Sequence, residues 1–256
     1  MSQKTVVIFE DNLASNLNPL ALTRPVFELM CGMKKIWENI INRFYPDAEV
    51  RFICRSYLKD VFQQKTQAKV NDLSGVEEAL FINGRILAAF SQLPPLEGNS
   101  EIGVQDENIV CARLKADEMS KLANDPDAFA ENLAGVDVPK GEVTGIKMFS
   151  YLWELISYNS EAIGKDFEFY ADPKDSKGII DNGAFVRVAE GDDEVSYGAA
   201  EAMELMKDGK IPLYLGEGAR INPNVTLDLT EGPIYIGSHI DVRPPTLIDG
   251  PCCMID

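Results

Sequence analysis

The chain has 256 residues, 45% of them hydrophobic and 25% charged, values that exclude wholesale disorder and supply enough apolar residues for a sizeable core. Lys and Arg total 24 against 41 Asp and Glu, a net charge of −17. So acidic a protein lacks the broad basic footprint needed for duplex nucleic acid or an anionic lipid surface, although a small anionic ligand needs only a local cluster of donors. No apolar run approaches the roughly 20 residues that span a bilayer. The short run Val6–Phe9 meets Glu10 and Asp11 at once, so no secretory leader is read and the expected location is cytoplasmic. The five cysteines include no C-x-x-C pair, His239 is the sole histidine, and no G-x-S-x-G occurs. Disulfide frameworks, zinc knuckles, zincins and serine hydrolases are therefore disfavoured.

In chain order, residues 5–9 are β-branched or aromatic without a polar break and read as a buried parallel strand. A polar loop over 10–18 ends in Pro19. After Gly32, apolar residues at Met33, Ile36, Trp37, Ile40, Ile41 and Phe44 fall at helical spacing. A strand is predicted over 48–54, and Ser56 caps a helix running to about Lys65. Further strands are read over 79–82 and 109–114, and one helix over 117–133. Strands alternating with helices predict an α/β fold, a mostly parallel sheet with helices on both faces. Another helix begins over 151–159, residues 164–191 read as loops and short strands, and 199–207 as an acidic helix. The aromatics Trp37, Phe44, Tyr151 and Trp153 are expected to pack into the core.

The C-terminal segment has a different pattern. Leu215, Ile221 and Leu227 are six apart, and so are Ile236, Val242, Ile248 and Met254, with a three-residue insertion around Glu231-Gly232-Pro233. A hexapeptide period with small and turn-forming residues between the apolar positions marks a β-helix, little more than two coils of it here. The domain expectation is residues 1–210 for the α/β domain and 211–256 for a truncated β-helix of hexapeptide repeats. The repeat stops at Met254-Ile255-Asp256 in mid-hexad, which reads as a truncated or unusually short repeat. Exposed hexad edges suggest a homo-oligomer through this segment.

Several stretches resemble one family. They are Leu22-Thr23-Arg24-Pro25-Val26-Phe27-Glu28-Leu29-Met30-Cys31-Gly32 after a strand ending Phe9-Glu10-Asp11-Asn12, the Leu-Trp-Glu-Leu pattern from Leu152, and Gly232-Pro233-Ile234-Tyr235-Ile236-Gly237 leading to Ile248-Asp249-Gly250-Pro251. Together they are similar to the alternate bacterial sugar nucleotidyltransferases, which resemble the bifunctional N-acetylglucosamine-1-phosphate uridyltransferase/glucosamine-1-phosphate acetyltransferase. The resemblance implies a nucleotidyltransferase-like α/β domain followed by a left-handed β-helix. It implies transfer of a nucleotidyl group from a nucleoside triphosphate to a sugar 1-phosphate with release of pyrophosphate, with Mg²⁺ as cofactor and uridine as the default base.

That chemistry must overcome repulsion between phosphates and align the attacking oxygen. Better-known members use a glycine-rich loop after the first strand, a Lys-Pro element and an Asp that holds Mg²⁺. Here the loop from Glu10 to Asn16 has no glycine, and Arg24-Pro25 stands roughly where Lys-Pro would be. Arg24 is the candidate catalytic residue, holding phosphate oxygens bidentately, or else a structural salt bridge. Asp11 and Asn12 bind ribose, base or metal, or simply cap a turn. Asn83-Gly84-Arg85 ends a predicted strand where relatives present a Gly-Asp pair; it faces sugar phosphate or metal, or is a plain Asn-Gly turn. Asp181 is the candidate metal ligand, or a solvated loop residue. The alternative function is a catalytically degenerate nucleotide-sugar-binding module, or a scaffold for a C-terminal acyltransferase β-helix absent from this chain.

Overall fold

The computed structural model describes residues 4–95, 98–119 and 122–255. The chain divides into two compact units, Met1–Ile156 and Ser157–Asp256. The sequence reading places the boundary at 210/211 instead.

The first unit is built on β1 (Thr5–Phe9), α1 (Ile36–Phe44), β2 (Glu49–Ile53), α2 (Lys59–Gln63), β3 (Lys69–Val70), β4 (Glu78–Asn83), β5 (Glu101–Gln105), β6 (Asn108–Lys115), α3 (Ala116–Met119), α4 (Phe129–Ala134) and β7 (Lys140–Glu142). Its seven-stranded sheet has the order β3-β2-β1-β4-β6-β5-β7. Neighbours are parallel from β3 to β4 and again between β5 and β7, and β6 runs antiparallel to β4 and β5. β1 sits at the centre and is buried throughout, as its unbroken apolar run requires of a strand covered on both faces. Alternation along the strands assigns those faces. Phe9 and Phe81 meet Phe129 of α4 at ring separations of 5.5 and 5.6 Å. Phe52 points the other way, against Phe27, Trp37 of α1 and Phe62 of α2. The expected α/β sheet with helices on both faces is thus present.

Three local expectations are corrected. The single helix over 117–133 is broken into α3, a 3₁₀ turn at Leu122–Asn124, and α4; Ser120 and Lys121 lie outside the described residues. Pro126 explains the break, because it lacks a donor and disfavours helical backbone at Asp125. α5 (Leu152–Tyr170) runs well past Gly164, where loops are predicted. Buried Leu155, Ala162, Ile163 and Phe167 form a helical stripe, and that packing outweighs the ~1 kcal/mol cost of an internal glycine. Tyr151 and Trp153 are not core residues: they are 44% and 61% exposed, their rings stacked at 4.5 Å.

The second unit continues with β8 (Ile179–Ile180), β9 (Phe185–Glu190), β10 (Asp193–Gly198), α6 (Ala199–Lys207), β11 (Leu213–Leu215), β12 (Arg220–Ile221), β13 (Val225–Asp228), β14 (Ile234–Ile236), β15 (Asp241–Val242), β16 (Thr246–Asp249) and β17 (Cys252–Met254). α6 has the predicted bounds. The short strands form three ladders: β8-β12-β15, β9-β13-β16 and β11-β14-β17. Within each ladder every pair is parallel, and the chain visits the ladders in the same cyclic order. β10 adds to β9 as an antiparallel hairpin, so the hairpin and α6 form an excursion between β9 and β11.

The hexad residues stack through this pairing. Leu215, Ile236 and Met254 share one row, Ile180, Ile221 and Val242 a second, and Val186, Leu227 and Ile248 a third. All but Met254 are buried, and Met254 packs against the same cluster. The stack therefore begins at Ile180 and Val186, which share the first layer with Leu215, the first hexad residue read from the sequence. Leu227→Ala removes a completely buried side chain from its centre and is expected to cost about 2–5 kcal/mol in urea denaturation.

Candidate active site

The order of the parallel strands reverses beside β1. The chain moves outward from β1 to β2 and β3, then returns to place β4 on the other side of β1. In open α/β sheets the crevice beyond the carboxyl ends of strands at such a point is where ligands bind. Phe9 is in register with Ile53 of β2 and Asn83 of β4. The segments leaving these three ends are Glu10-Asp11-Asn12, Cys54-Arg55 and Gly84-Arg85.

Asp11, Asn83 and Arg85 converge there. The Arg85 guanidinium is fully buried and grips Asp11, with Nε to Oδ1 at 2.8 Å and Nη2 to Oδ2 at 2.6 Å. Its Nη1 donates to the Phe149 carbonyl at 2.7 Å, and Nη2 also donates to Asn108 Oδ1 at 3.0 Å. Asn83 Nδ2 donates to Asp11 Oδ2 at 2.8 Å and to the Ile109 carbonyl at 2.9 Å, while its Oδ1 accepts from the Arg85 backbone N–H at 3.0 Å. Every guanidinium nitrogen of Arg85 thus has an acceptor within the protein, so Arg85 binds together the segments around the strand ends. Gly84 is required by close approach. Its N–H donates to the Phe9 carbonyl at 2.8 Å, and a Cβ there would meet Phe27 Cδ1 at 2.8 Å and the Phe9 oxygen at 3.1 Å.

A second network was not singled out from the sequence. The Glu10 carboxylate is buried, with 3% of its side chain exposed, and pairs with Arg55 Nη2 at 3.0 Å. It also accepts the backbone N–H groups of Val26 at 2.8 Å and Arg55 at 3.0 Å. Arg55 Nη2 reaches on to the carbonyls of Ala21 at 2.7 Å and Arg24 at 3.3 Å. Burial opposes the charge of Arg55, but the Glu10 hydrogen bonds and charge outweigh it and raise the guanidinium pKa. The only sequence signal was position, an acid immediately after a wholly apolar strand.

These contacts account for Val26, Phe27 and Glu28 within the Thr23–Leu29 motif. Val26 is tied to Glu10. Phe27 stacks on Phe52 at 5.1 Å and covers Gly84. Glu28 accepts from Lys35 Nζ at 3.0 Å and Trp37 Nε1 at 2.9 Å. Arg24 is held by its carbonyl alone. Its side chain is exposed and, among the described residues, makes no hydrogen bond or ion pair. Asn12 is exposed and donates to Glu131 Oε1 at 2.9 Å.

Asp181 does not join this group. It belongs to the second unit, at the end of β8, and accepts from Arg220 Nε at 2.6 Å. A divalent cation fits the strand-end residues poorly. Both Asp11 oxygens already accept from Arg85, and Asn83 directs its amide nitrogen, not its oxygen, at Asp11. Among the described residues no group of three or more His, Cys, Asp or Glu is placed to hold a metal.

Cys54, the residue before Arg55, is buried. Burial first, then the charge of Glu10, push its thiol up to about 12, and burial pushes that of Cys111 up to about 11. At pH 8 neither forms appreciable thiolate. Labelling of the native protein with a disulfide-exchange reagent is therefore expected to be confined to half-buried Cys252 and Cys253, slowed at Cys252 by the burial that raises its thiol too, with the others reacting on denaturation.

A sheet of this order, with polar segments converging on its reversal point, has the layout of an α/β ligand-binding protein, and Arg24 is exposed on the loop that Arg55 anchors. The profile of one family, described as sugar nucleotidyl transferase, matches residues 6–174, and the chain belongs to that family. The reaction of the family is nucleotidyl transfer to a sugar phosphate. The fold is similar to a Bacillus anthracis structure assigned as a glucose-1-phosphate thymidylyltransferase, in complex with sucrose, at 12% identity and a TM-score of 0.41, covering 63% of this chain and 96% of that one. It is also similar to the CTP:phosphocholine cytidylyltransferase LicC of Streptococcus pneumoniae, at 13% identity and a TM-score of 0.38, covering 61% of this chain and 97% of that one. No curated protein matches the chain.

Proposed function

We propose that the protein joins a nucleoside triphosphate to a sugar 1-phosphate in the crevice between the ends of β1 and β4, releasing pyrophosphate. One observation carries the assignment of residues. Arg24 is the one cation in the Leu22–Gly32 motif, and its side chain is exposed and, among the described residues, makes no hydrogen bond or ion pair, on a loop fixed to the strand ends through Glu10 and Arg55. A guanidinium held in that way can fork two phosphate oxygens and neutralise charge that grows as the α-phosphorus is attacked. The loop starting at Asp11 and Asn12 faces the nucleotide, and Asn83 with Gly84 faces the sugar phosphate. Arg85 acts by fixing Asp11. Mg²⁺ is expected as the counter-ion of the nucleotide and is part of that substrate. Uridine as the base rests on family resemblance alone. The test is product identification by mass spectrometry, after incubating the protein with Mg²⁺, each nucleoside triphosphate and a panel of hexose and hexosamine 1-phosphates. One nucleotide sugar formed from one pairing supports the proposal, and none from folded protein counts against it.

For the second unit the proposal is a left-handed β-helix of hexapeptide repeats, as in the bifunctional uridyltransferase/acetyltransferases, with Asp181 in a structural ion pair. Three parallel ladders visited in cyclic order, with the hexad residues stacked inward, support the coil; its hand rests on the resemblance. Homo-oligomerisation through this unit and a cytoplasmic location belong to the same proposal. Binding of a nucleotide sugar without turnover is favoured by one observation: the strand-end carboxylate is already engaged by Arg85.

A further inference from the structure

We infer that Asp11 holds Arg85 where a strand-end carboxylate could hold a divalent cation, so that the metal of the reaction arrives on the nucleotide and has no resident site on the protein. The inference rests on the placement of the site proposed above, but its test does not require turnover.

Four groups address the Asp11 carboxylate. Oδ1 accepts from Arg85 Nε at 2.8 Å and Leu13 N at 3.2 Å; Oδ2 accepts from Arg85 Nη2 at 2.6 Å and Asn83 Nδ2 at 2.8 Å. Mg²⁺ demands near-octahedral oxygen ligands at about 2.1 Å. A guanidinium, charged at every accessible pH, repels a metal so placed. Turning the Asn83 amide to offer its oxygen would break its bond to the Ile109 carbonyl and the one it accepts from Arg85 N. The network thus fixes the amide in the orientation that suits an arginine and not a cation.

Arg85 also ties together segments far apart in the chain. It joins Asp11 after β1, Asn108 at the start of β6, and Phe149 with Ser150 ahead of α5. It is a positioning residue, and a permanent one, since its side chain is fully buried. A metal held by the protein could leave and loosen the β1 loop; a covalently attached cation cannot.

The test is an electron paramagnetic resonance titration of Mn²⁺ into the full-length, nucleotide-free protein at physiological salt. The free-Mn²⁺ signal is expected to match that of buffer at equimolar protein. Stoichiometric loss of signal that Asp11→Asn abolishes would overturn the inference. Thermal melting gives a second readout. Asp11→Asn is expected to lower the melting temperature by about 5 °C or more, because the Arg85 charge is left buried and unpaired. The double variant Asp11→Asn, Arg85→Met is expected to recover part of that loss. A single variant melting with the wild type would contradict the inference. Should the single variant fail to fold, the wild-type titration decides alone. Absence of nucleotidyl transfer would overturn the proposed function and leave the Mn²⁺ and melting results standing.

Discussion

Arg24→Ala is expected to lower turnover by about 10²- to 10³-fold, the range for removing one preorganised donor from developing charge, with the melting temperature unchanged. The two effects separate because of how Arg24 is held. Its carbonyl is bound by Arg55, so the loop keeps its path without the side chain. The side chain itself is exposed and unpaired among the described residues, and such substitutions usually stay within about 0.5 kcal/mol. Arg24→Lys restores charge but not the planar fork, so partial recovery is expected. Steady-state pyrophosphate release and thermal melting of the three proteins, run side by side, check both halves. An alanine variant with wild-type turnover would remove Arg24 from the chemistry.

Glu10→Gln is expected to destabilise the protein by about 3–5 kcal/mol, the usual cost of breaking a buried ion pair from one side. That corresponds to about 10 °C in melting temperature for a unit of this size. Glu10 accepts two backbone N–H groups as well as the Arg55 guanidinium, and only part of Arg55 reaches solvent. The neutral amide leaves the Arg55 charge without its partner beside the carbonyls of Ala21 and Arg24. Turnover is expected to fall as well, through a displaced Arg24 loop. Adding Arg55→Met should recover stability without recovering turnover, since the misplaced loop remains. Chemical denaturation of the single and double variants measures the coupling.

How much could be read beforehand depended on whether the cause was local. The run over residues 5–9 announces a central strand because alternation is absent, and α6 is set by its own composition and by Gly198 and Gly209 around it. The hexads were legible because every sixth residue packs into the same interior cluster, passing from one row to the next. Where a distant residue decides, the sequence is silent. Asp11 and Arg85 are 74 positions apart, and nothing in either neighbourhood says that one will consume the other's charge. Both were therefore read as ligand-facing. The same holds for Glu10 and Arg55, 45 apart, whose partnership explains the Thr23–Leu29 motif better than any local property of it. Gly164 misled because its helix is held by the packing of Ile163 and Phe167, and glycine reports only backbone freedom. The opening layer of the β-ladders at Ile180 and Val186 was hidden by the inserted hairpin and α6, which break the six-residue count.

The placement of the ligand at the strand reversal is tested most directly by hydrogen–deuterium exchange of the full chain, with and without Mg²⁺–nucleoside triphosphate. Slowed exchange is expected over residues 10–26 and 83–85, the segments that leave β1 and β4 and carry Arg24. Unchanged exchange there would contradict that placement, above all if protection appears instead around the cavity of about 560 Å³ lined by Glu118, Glu131 and Asp137.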